Sequence, residues 1–390
     1  MFKKLLVANR GEIAIRIFRA ASELDIKTIA VYTFEDRYSL HRYKADEAYQ
    51  IGKNDDPLKP YLDIEEILSV AKREKADAIH PGYGFLSENA DFARRCKEEG
   101  IVFVGPDPAI MQQLGDKIAA KQVAGRAKVP MIEDSKGNVA DIALARQEAQ
   151  RIGFPIIIKA VAGGGGRGMR VVRNTEDLEK SLPEARNEAK TAFGNDTVFF
   201  EKFIVSPRHI EIQVLGDRHG NIIHLFERDC SIQRRFQKVV EVAPAVSLKP
   251  ETRKQLQDYA IRICSEVGYN NAGTVEFLVD KQENIFFIEV NPRIQVEHTV
   301  TEEVTGIDIV KCQLLIAQGY RLSDPVINIQ SQQQITVSGV AIQCRVTTED
   351  PANQFKPDYG TLIAYRNAGG PGIRLDEGSS YPGVNISPFF

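Results

Sequence analysis

The sharpest chemistry in this 390-residue sequence is acidic. Between Gly273 and Asn291 apolar and polar residues alternate in two runs, separated by Lys281-Gln282-Glu283-Asn284. A hairpin closed over that segment pairs Asp280 with Ile285, Phe277 with Ile288 and Val275 with Val290. The same count sets Glu276 opposite Glu289, with Thr274 beside Asn291. Like charges in register across a ladder destabilise it. They make sense with a cation between them, and two carboxylates plus an amide oxygen are hard donors suited to Mg²⁺ bridging nucleotide phosphates. The competing reading is a pair of solvated glutamates on an exposed hairpin, and a one-residue slip would remove the pairing.

Gly163-Gly164-Gly165-Gly166-Arg167-Gly168 formally contains G-x-G-x-x-G. A dinucleotide site needs a helix directly after such glycines, yet Met169-Arg170-Val171-Val172-Arg173 reads as a strand. A Walker loop fails as well, because Met169 stands where lysine is required. What remains is strand, glycine loop, strand: a hairpin flap whose backbone N–H groups can close over phosphates. Lys159, just before the flap, and Lys117 carry the charge to meet those phosphates. Arg293-Ile294-Gln295-Val296-Glu297-His298 follows the acidic hairpin and supplies an arginine for clamping an anion and a glutamate for proton transfer. Lys238, in the donor-rich stretch Asp229 to Lys238, is a second anion clamp. His224 and His298 read as structural.

These residues need elements to hold them. The first hundred residues alternate strand and helix: strands at Lys4–Ala8, Thr28–Tyr32, Asp77–His80 and Ile101–Val104, with helices around Ile13–Leu24, Asp63–Arg73 and Asn89–Glu98. This is the rhythm of a doubly wound parallel sheet. His80-Pro81-Gly82-Tyr83-Gly84-Phe85 leaves the carboxyl end of one strand, where open α/β sheets bind ligands. A helix through Ile118–Gly125, an amphipathic helix ending at Gly153 and the strand Phe154–Ala160 follow. From Ile212 onward alternating strands dominate, interrupted by helices near Glu251–Val267 and Ile307–Gln318.

Composition excludes several classes. Lys plus Arg number 50 against 53 Asp plus Glu, a net charge of −3, where a nucleic-acid binder would be expected to be basic. No apolar run reaches membrane-spanning length. The five scattered cysteines, never in C-x-x-C spacing, favour reduced thiols in the cytoplasm over a disulfide framework or structural zinc.

Lys159 with the flap, Glu276, Glu289 and Asn291, and the segment Arg293–His298 together resemble an ATP-grasp enzyme of the biotin carboxylase family. Val7-Ala8-Asn9-Arg10-Gly11-Glu12-Ile13-Ala14 and His80 to Asn89 carry the same resemblance, which spans the whole chain. The segment Tyr38 to Glu47, and Pro292 after Asn291, are more similar to the N-terminal part of pyruvate carboxylases than to free-standing acetyl-CoA carboxylase subunits. The resemblance implies a mixed α/β and α+β multidomain fold. Its parts would be a Rossmann-like N-terminal domain (1–113), an ATP-grasp domain (114–334, lid about 134–204) and an incomplete β-rich C-terminal part (335–390).

It also implies roles. Glu201, Lys202 and Ile204 would frame the adenine of ATP, with His209 and Gln233 nearby. Lys117, Lys159, Gly165 and Gly166 would hold phosphates, and Glu276, Glu289 and Asn291 would hold two Mg²⁺ or Mn²⁺ ions. Tyr83, Gln295 and Val296 would also line the ligand site. Bicarbonate on Lys238 and Arg293 would attack the γ-phosphate, Glu297 would take the proton of biotin, and Arg345 would stabilise the biotin enolate. No biotin-accepting Met-Lys motif occurs, so biotin would arrive free or on a carrier domain. A homodimer through this region, and a larger oligomer of the full protein, are implied too. Two departures stand out: Phe236 replaces a common histidine, and the chain stops where the family continues, as a fragment would. The alternatives are the biotin carboxylase of an acyl-CoA carboxylase, another ATP-grasp ligase, a catalytically silent ATP-binding fragment and, with only glycine spacing behind it, an NAD-dependent oxidoreductase.

Overall fold

The structure, a computed structural model, describes residues 2–135, 137–139, 141–160, 169–235 and 237–389. Gly165 and Gly166 of the glycine run, and Phe236, lie outside the described residues.

The chain begins with β1 (Lys4–Val7), α1 (Gly11–Ser22), β2 (Lys27–Tyr32), α2 (Leu40–Lys44), β3 (Glu47–Gln50), α3 (Ile64–Arg73), β4 (Ala78–His80), α4 (Ala90–Glu98), β5 (Val102–Phe103) and α5 (Pro108–Gly115). The strands form one parallel sheet in the order β3-β2-β1-β4-β5. Its central strand is buried on both faces, so it reads as an unbroken apolar run. Leu5 and Val7 pack with Ile13 and Ile17 of α1, while Leu6 and Ala8 pack with Ile67, Leu68 and Phe92 of α3 and α4. Asp63 and Asn89 start α3 and α4 by accepting the N–H groups of Glu66 and Phe92. β3 is an addition to the sequence reading; it is a short, polar, half-exposed edge strand with no apolar run to betray it.

The winding reverses between β1 and β4, and the loops leaving these two strands are tied together there. Asn9 donates to the carbonyls of Pro81 (2.7 Å) and Tyr83 (2.8 Å). Gly82 makes this possible: its φ is +65°, and a Cβ there would stand 2.8 Å from the Asn9 amide.

Next come α6 (Lys117–Arg126), α7 (Ile142–Ile152), β6 (Ile156–Ala160), β7 (Arg170–Val172), α8 (Thr175–Phe193) and β8 (Val198–Lys202). β7, β6 and β8 make a three-stranded antiparallel sheet, so the strands on either side of the glycine run pair as a hairpin. Ile156, Ile158, Val172 and Phe200 face Leu178, Leu182, Ala185 and Ala189, a helical stripe of α8. That helix escaped the sequence reading because Pro183 sits inside it; Asn174 caps its start, and the buried stripe holds it across the proline.

The third sheet collects β9 (Arg208–Gly216), β10 (Ile222–Arg234), β11 (Gln237–Ala243), β12 (Asn271–Val279), β13 (Ile285–Asn291) and β14 (Ala341–Cys344) in the order β13-β12-β9-β10-β11-β14. Between them run α9 (Pro250–Glu266), α10 (His298–Thr305) and α11 (Ile309–Ala317). One face is apolar: Ile210, Ile212, Val214, Val275 and Phe277 pack against Val123 and Ala124 of α6 and Leu256, Ala260 and Ile263 of α9. The opposite face carries the chemistry. Beyond β14 the described regular structure is a short 3-10 turn at Pro351–Asn353 and two-residue ladders, Glu349–Asp350 with Lys356–Pro357 and Gly360–Thr361 with Asn385–Ile386. No helix among the described residues is long and apolar enough to cross a membrane.

Candidate active site

Glu276 does face Glu289, and Thr274 faces Asn291, in the β12–β13 ladder. The route differs from the sequence count. Val279 pairs with Ile285, Leu278 with Phe286 and Phe277 with Phe287, so the loop is one residue longer than expected. Asp280 organises that loop by accepting from the N–H groups of Gln282 and Asn284, both at 2.8 Å. A bulge between Glu276 and Phe277 then takes up the extra residue Ile288 and restores the register. Ile285 and Phe287, rather than Phe286 and Ile288, therefore reach the core.

Glu276 also pairs across β9 with Glu211, a third acid that the sequence reading missed. Lys238 answers all this negative charge. Its Nζ lies 2.5 Å from Glu211, 2.9 Å from Glu276 and 2.7 Å from Glu297. Burial alone would lower the Lys238 pKa; the three carboxylates outweigh it and hold the ammonium firmly protonated. Burial would likewise raise Glu276, but the His209 hydrogen bond and Lys238 keep it well below the usual carboxylate range. His209 Nε2 lies 2.6 Å from Glu276, and Gln233 reaches His209 Nδ1 at 3.1 Å. Asn291 and Gln295 donate to the other oxygen of Glu276 at 2.8 and 2.9 Å.

Glu297 joins two cations. One oxygen accepts from Lys238; the other lies 2.9 Å from Arg345, which β14 delivers beside β11 and which Glu241 holds at 2.7 Å. Val296 is half-buried between Gln295 and Glu297. Arg293 sits at the rim, 2.6 Å from Glu88 and 3.0 Å from Oδ1 of the Asn291 side chain. Tyr83 donates to Glu12 and lies within reach of the Arg345 charge, which brings the first sheet's loop to the rim of this one.

Glu289 is the exception in this paired set: among the described residues no donor satisfies it. Burial raises its pKa, the charge of Glu276 raises it further, and Lys117 at the start of α6 opposes both. A half-buried, unpartnered carboxylate opposite a second carboxylate and next to an amide is a donor set that fits a hard divalent cation.

The three-stranded sheet holds the remaining predicted residues. Glu201 is ion-paired with Lys159 and, at 3.0 Å, with Lys121, which also reaches Asp134 at 2.8 Å. The Lys202 ammonium is turned to the Gly153 and Phe154 carbonyls at the end of α7, 2.8 and 2.9 Å away, and its backbone N–H is given to Glu133. Ile204 is half-buried just past β8.

Glu211, Arg228, Glu241, Glu88 and Lys121 belong to these networks and were not foreseen. Glu211 had a signal, since His209, Glu211 and Gln213 alternate with Ile210, Ile212 and Val214 along β9. Arg228 had none: β10 is irregular on both sides of it, between His224 and Glu227 and between Asp229 and Ile232, which destroys the alternation.

A doubly wound parallel sheet, a small antiparallel sheet whose strands flank the glycine run and a large sheet bearing acids and Lys238 on one face are the elements of an ATP-grasp fold. The family described as "Biotin carboxylase, N-terminal domain" matches residues 1–111, and "Carbamoyl-phosphate synthase L chain, ATP binding domain" matches residues 116–325. The whole chain is 58% identical over 388 residues to pyruvate carboxylase of Staphylococcus aureus, covering 34% of that protein. Among solved structures it is similar to the biotin carboxylase domain dimer of Hydrogenobacter thermophilus 2-oxoglutarate carboxylase in complex with MgADP, ADP and bicarbonate (49% identity, TM-score 0.91, 100% of this chain and 84% of that one). It is similar too to Rhizobium etli pyruvate carboxylase (52% identity, TM-score 0.90, 99% and 34%). The chain belongs to the biotin carboxylase family. It spans about a third of the length of the curated pyruvate carboxylases it matches.

Proposed function

We propose that the chain carboxylates biotin with bicarbonate at the expense of ATP, as the biotin carboxylase part of a pyruvate carboxylase. The observation that carries this reading is Glu297 held between Lys238 and Arg345 on the acidic face of the large sheet. An anion site, a base and a cation suited to an enolate then share one place.

Bicarbonate would enter between Lys238 and Arg293, displacing Glu88 from the arginine and sharing the lysine with its carboxylates. Its oxygen attacks the γ-phosphorus of ATP, the β–γ bridging bond breaks, and carboxyphosphate and ADP result. Lys117 and Lys159 would hold the phosphates, with Lys159 passing from Glu201 to the nucleotide, while Glu201, the Lys202 carbonyl and Ile204 frame the adenine, flanked by His209 and Gln233. Glu276, Glu289 and Asn291 would hold Mg²⁺, which when bound neutralises the phosphate charge that grows during transfer. Carboxyphosphate gives CO₂ and phosphate. Glu297 or the phosphate takes the ureido proton of biotin, Arg345 steadies the resulting negative charge, and the nitrogen bonds to the carbon of CO₂. Tyr83, Gln295 and Val296 would border the bicarbonate and biotin positions.

Pyruvate as the final acceptor, with biotin arriving on a carrier domain, rests on the identity to pyruvate carboxylases. A homodimer rests on the related domain dimer. Five cysteines without disulfides support a reducing, cytoplasmic setting. The test is ADP release from MgATP with bicarbonate present or absent and free biotin present or absent. Release that requires bicarbonate and rises with biotin supports the proposal; release indifferent to bicarbonate rejects it in favour of another ATP-grasp ligase.

A further inference from the structure

Arg228 is fully buried beneath the acidic face of the large sheet, and each of its five N–H donors has a different acceptor. Its Nε donates to Glu211. Nη1 donates to Gln213 at 2.7 Å and Thr301 at 3.0 Å, and Nη2 to Thr274 at 3.1 Å and Gln295 at 3.0 Å. The acceptors come from β9, β12, the Arg293–Glu297 segment and α10, so one planar group ties four pieces of chain.

The contact with Gln295 has a chemical consequence. An amide offers a carbonyl at one end and an NH₂ at the other. Arg228 has no acceptor, so it can take only the carbonyl. The Gln295 NH₂ is thereby turned towards Glu276, 2.9 Å away, on the side where Lys238 also points. A flipped amide would set NH₂ against guanidinium, leave one Arg228 donor buried and unpaired, and aim a carbonyl at the Glu276 carboxylate. Both changes are unfavourable, because each leaves a buried polar group without the partner it had in water.

We infer that Arg228 is a positioning residue for the anion site, fixing the Gln295 amide so that its second N–H is presented to bicarbonate while also anchoring Glu211, the partner of Lys238. This rests on the bicarbonate-dependent reaction proposed above. Arg228 never touches the substrate; it acts through Gln295 and Glu211. Lysine cannot replace it, because an ammonium has three donors and no planar fork to serve Glu211 and Gln295 together.

The test is steady-state ADP release by the 390-residue chain, varying bicarbonate and ATP separately, for the unsubstituted protein, Arg228→Lys and Thr301→Val. Thr301→Val removes one acceptor on α10 and keeps the arginine, so it serves if Arg228→Lys does not fold. Arg228→Lys is expected to raise the KM for bicarbonate about tenfold, and Thr301→Val by a smaller factor, with the KM for ATP moving less than about twofold in both. Equal changes in the two KM values, or an unchanged bicarbonate KM in whichever variant folds, would overturn the role of Arg228. If the unsubstituted chain released ADP without regard to bicarbonate, the anion site itself would fall, and the inference with it.

Discussion

Glu297 takes its character from its neighbours. One oxygen is held by Lys238 at 2.7 Å and the other by Arg345 at 2.9 Å, and the side chain is buried. Glu297→Gln keeps the shape and removes both the charge and the proton acceptor. It is expected to lower bicarbonate-dependent ADP release by about a hundredfold or more, while the affinity for a fluorescent ATP analogue stays unchanged; near-normal turnover would remove Glu297 from the mechanism. Glu289 calls for a different experiment, since among the described residues it lacks a hydrogen-bond donor and it stands against Glu276. Glu289→Gln relieves that repulsion, so without metal the variant should melt at a higher temperature than the unsubstituted chain, yet need more Mg²⁺ for half-maximal activity. A lower melting temperature with an unchanged Mg²⁺ requirement would refute the cation site. Both residues were singled out from sequence, Glu289 by the hairpin count that sets it opposite Glu276 and Glu297 by its place in the segment Arg293–His298; the structure has the Glu276–Glu289 pairing, and the roles remain those proposed above.

Among elements, the β12–β13 hairpin decides whether the acids meet. Phe277 and Phe287 are buried on its apolar side with ring centroids 6.2 Å apart in an edge-to-face arrangement. Phe277→Ala should cost about 3–5 kcal/mol in urea unfolding, and a loss below about 1 kcal/mol would mean that this face is not the core of the sheet. The hairpin also marks the limit of reading by alternation. The sequence count reached the right acidic pair through an even ladder, whereas the protein uses a longer loop and a compensating bulge at Ile288. Period-two patterns reveal faces but not insertions. For the same reason Glu211 on regular β9 could have been found, and Arg228 on irregular β10 could not. α3 and α4 were plain in advance because Asp63 and Asn89 announce their starts. α8 was hidden by Pro183, and β3 by its polarity.

Across the whole molecule, burial of neutral histidines sets the acid response. Burial pushes His41 and His224 down to about 4 and His80 to about 3, and it lowers His298 as well. In the unfolded chain each takes up a proton near 6.5. Below that pH the unfolded state therefore binds more protons, and stability falls as pH drops from about 6.5 towards 4. Glu241 and Glu289, raised chiefly by burial, and His209, which the Glu276 carboxylate raises against the effect of burial, act in the opposite sense, while Asp36, Glu201, Glu211 and Glu276, held low by their cationic partners against burial, act with the four histidines. The melting temperature should decline between pH 6.5 and pH 5; a flat or rising profile would contradict the buried neutral state of these side chains. The central claim also belongs to this scale, because the three sheets matter only if they bring ATP, bicarbonate and biotin to one face. The direct measurement is transfer of label from ¹³C-bicarbonate to free biotin with MgATP. The account predicts labelled carboxybiotin formed only when ATP, Mg²⁺ and bicarbonate are all present, and abolished by Glu297→Gln. ATP cleavage that proceeds with biotin present and never delivers label to it would contradict the account.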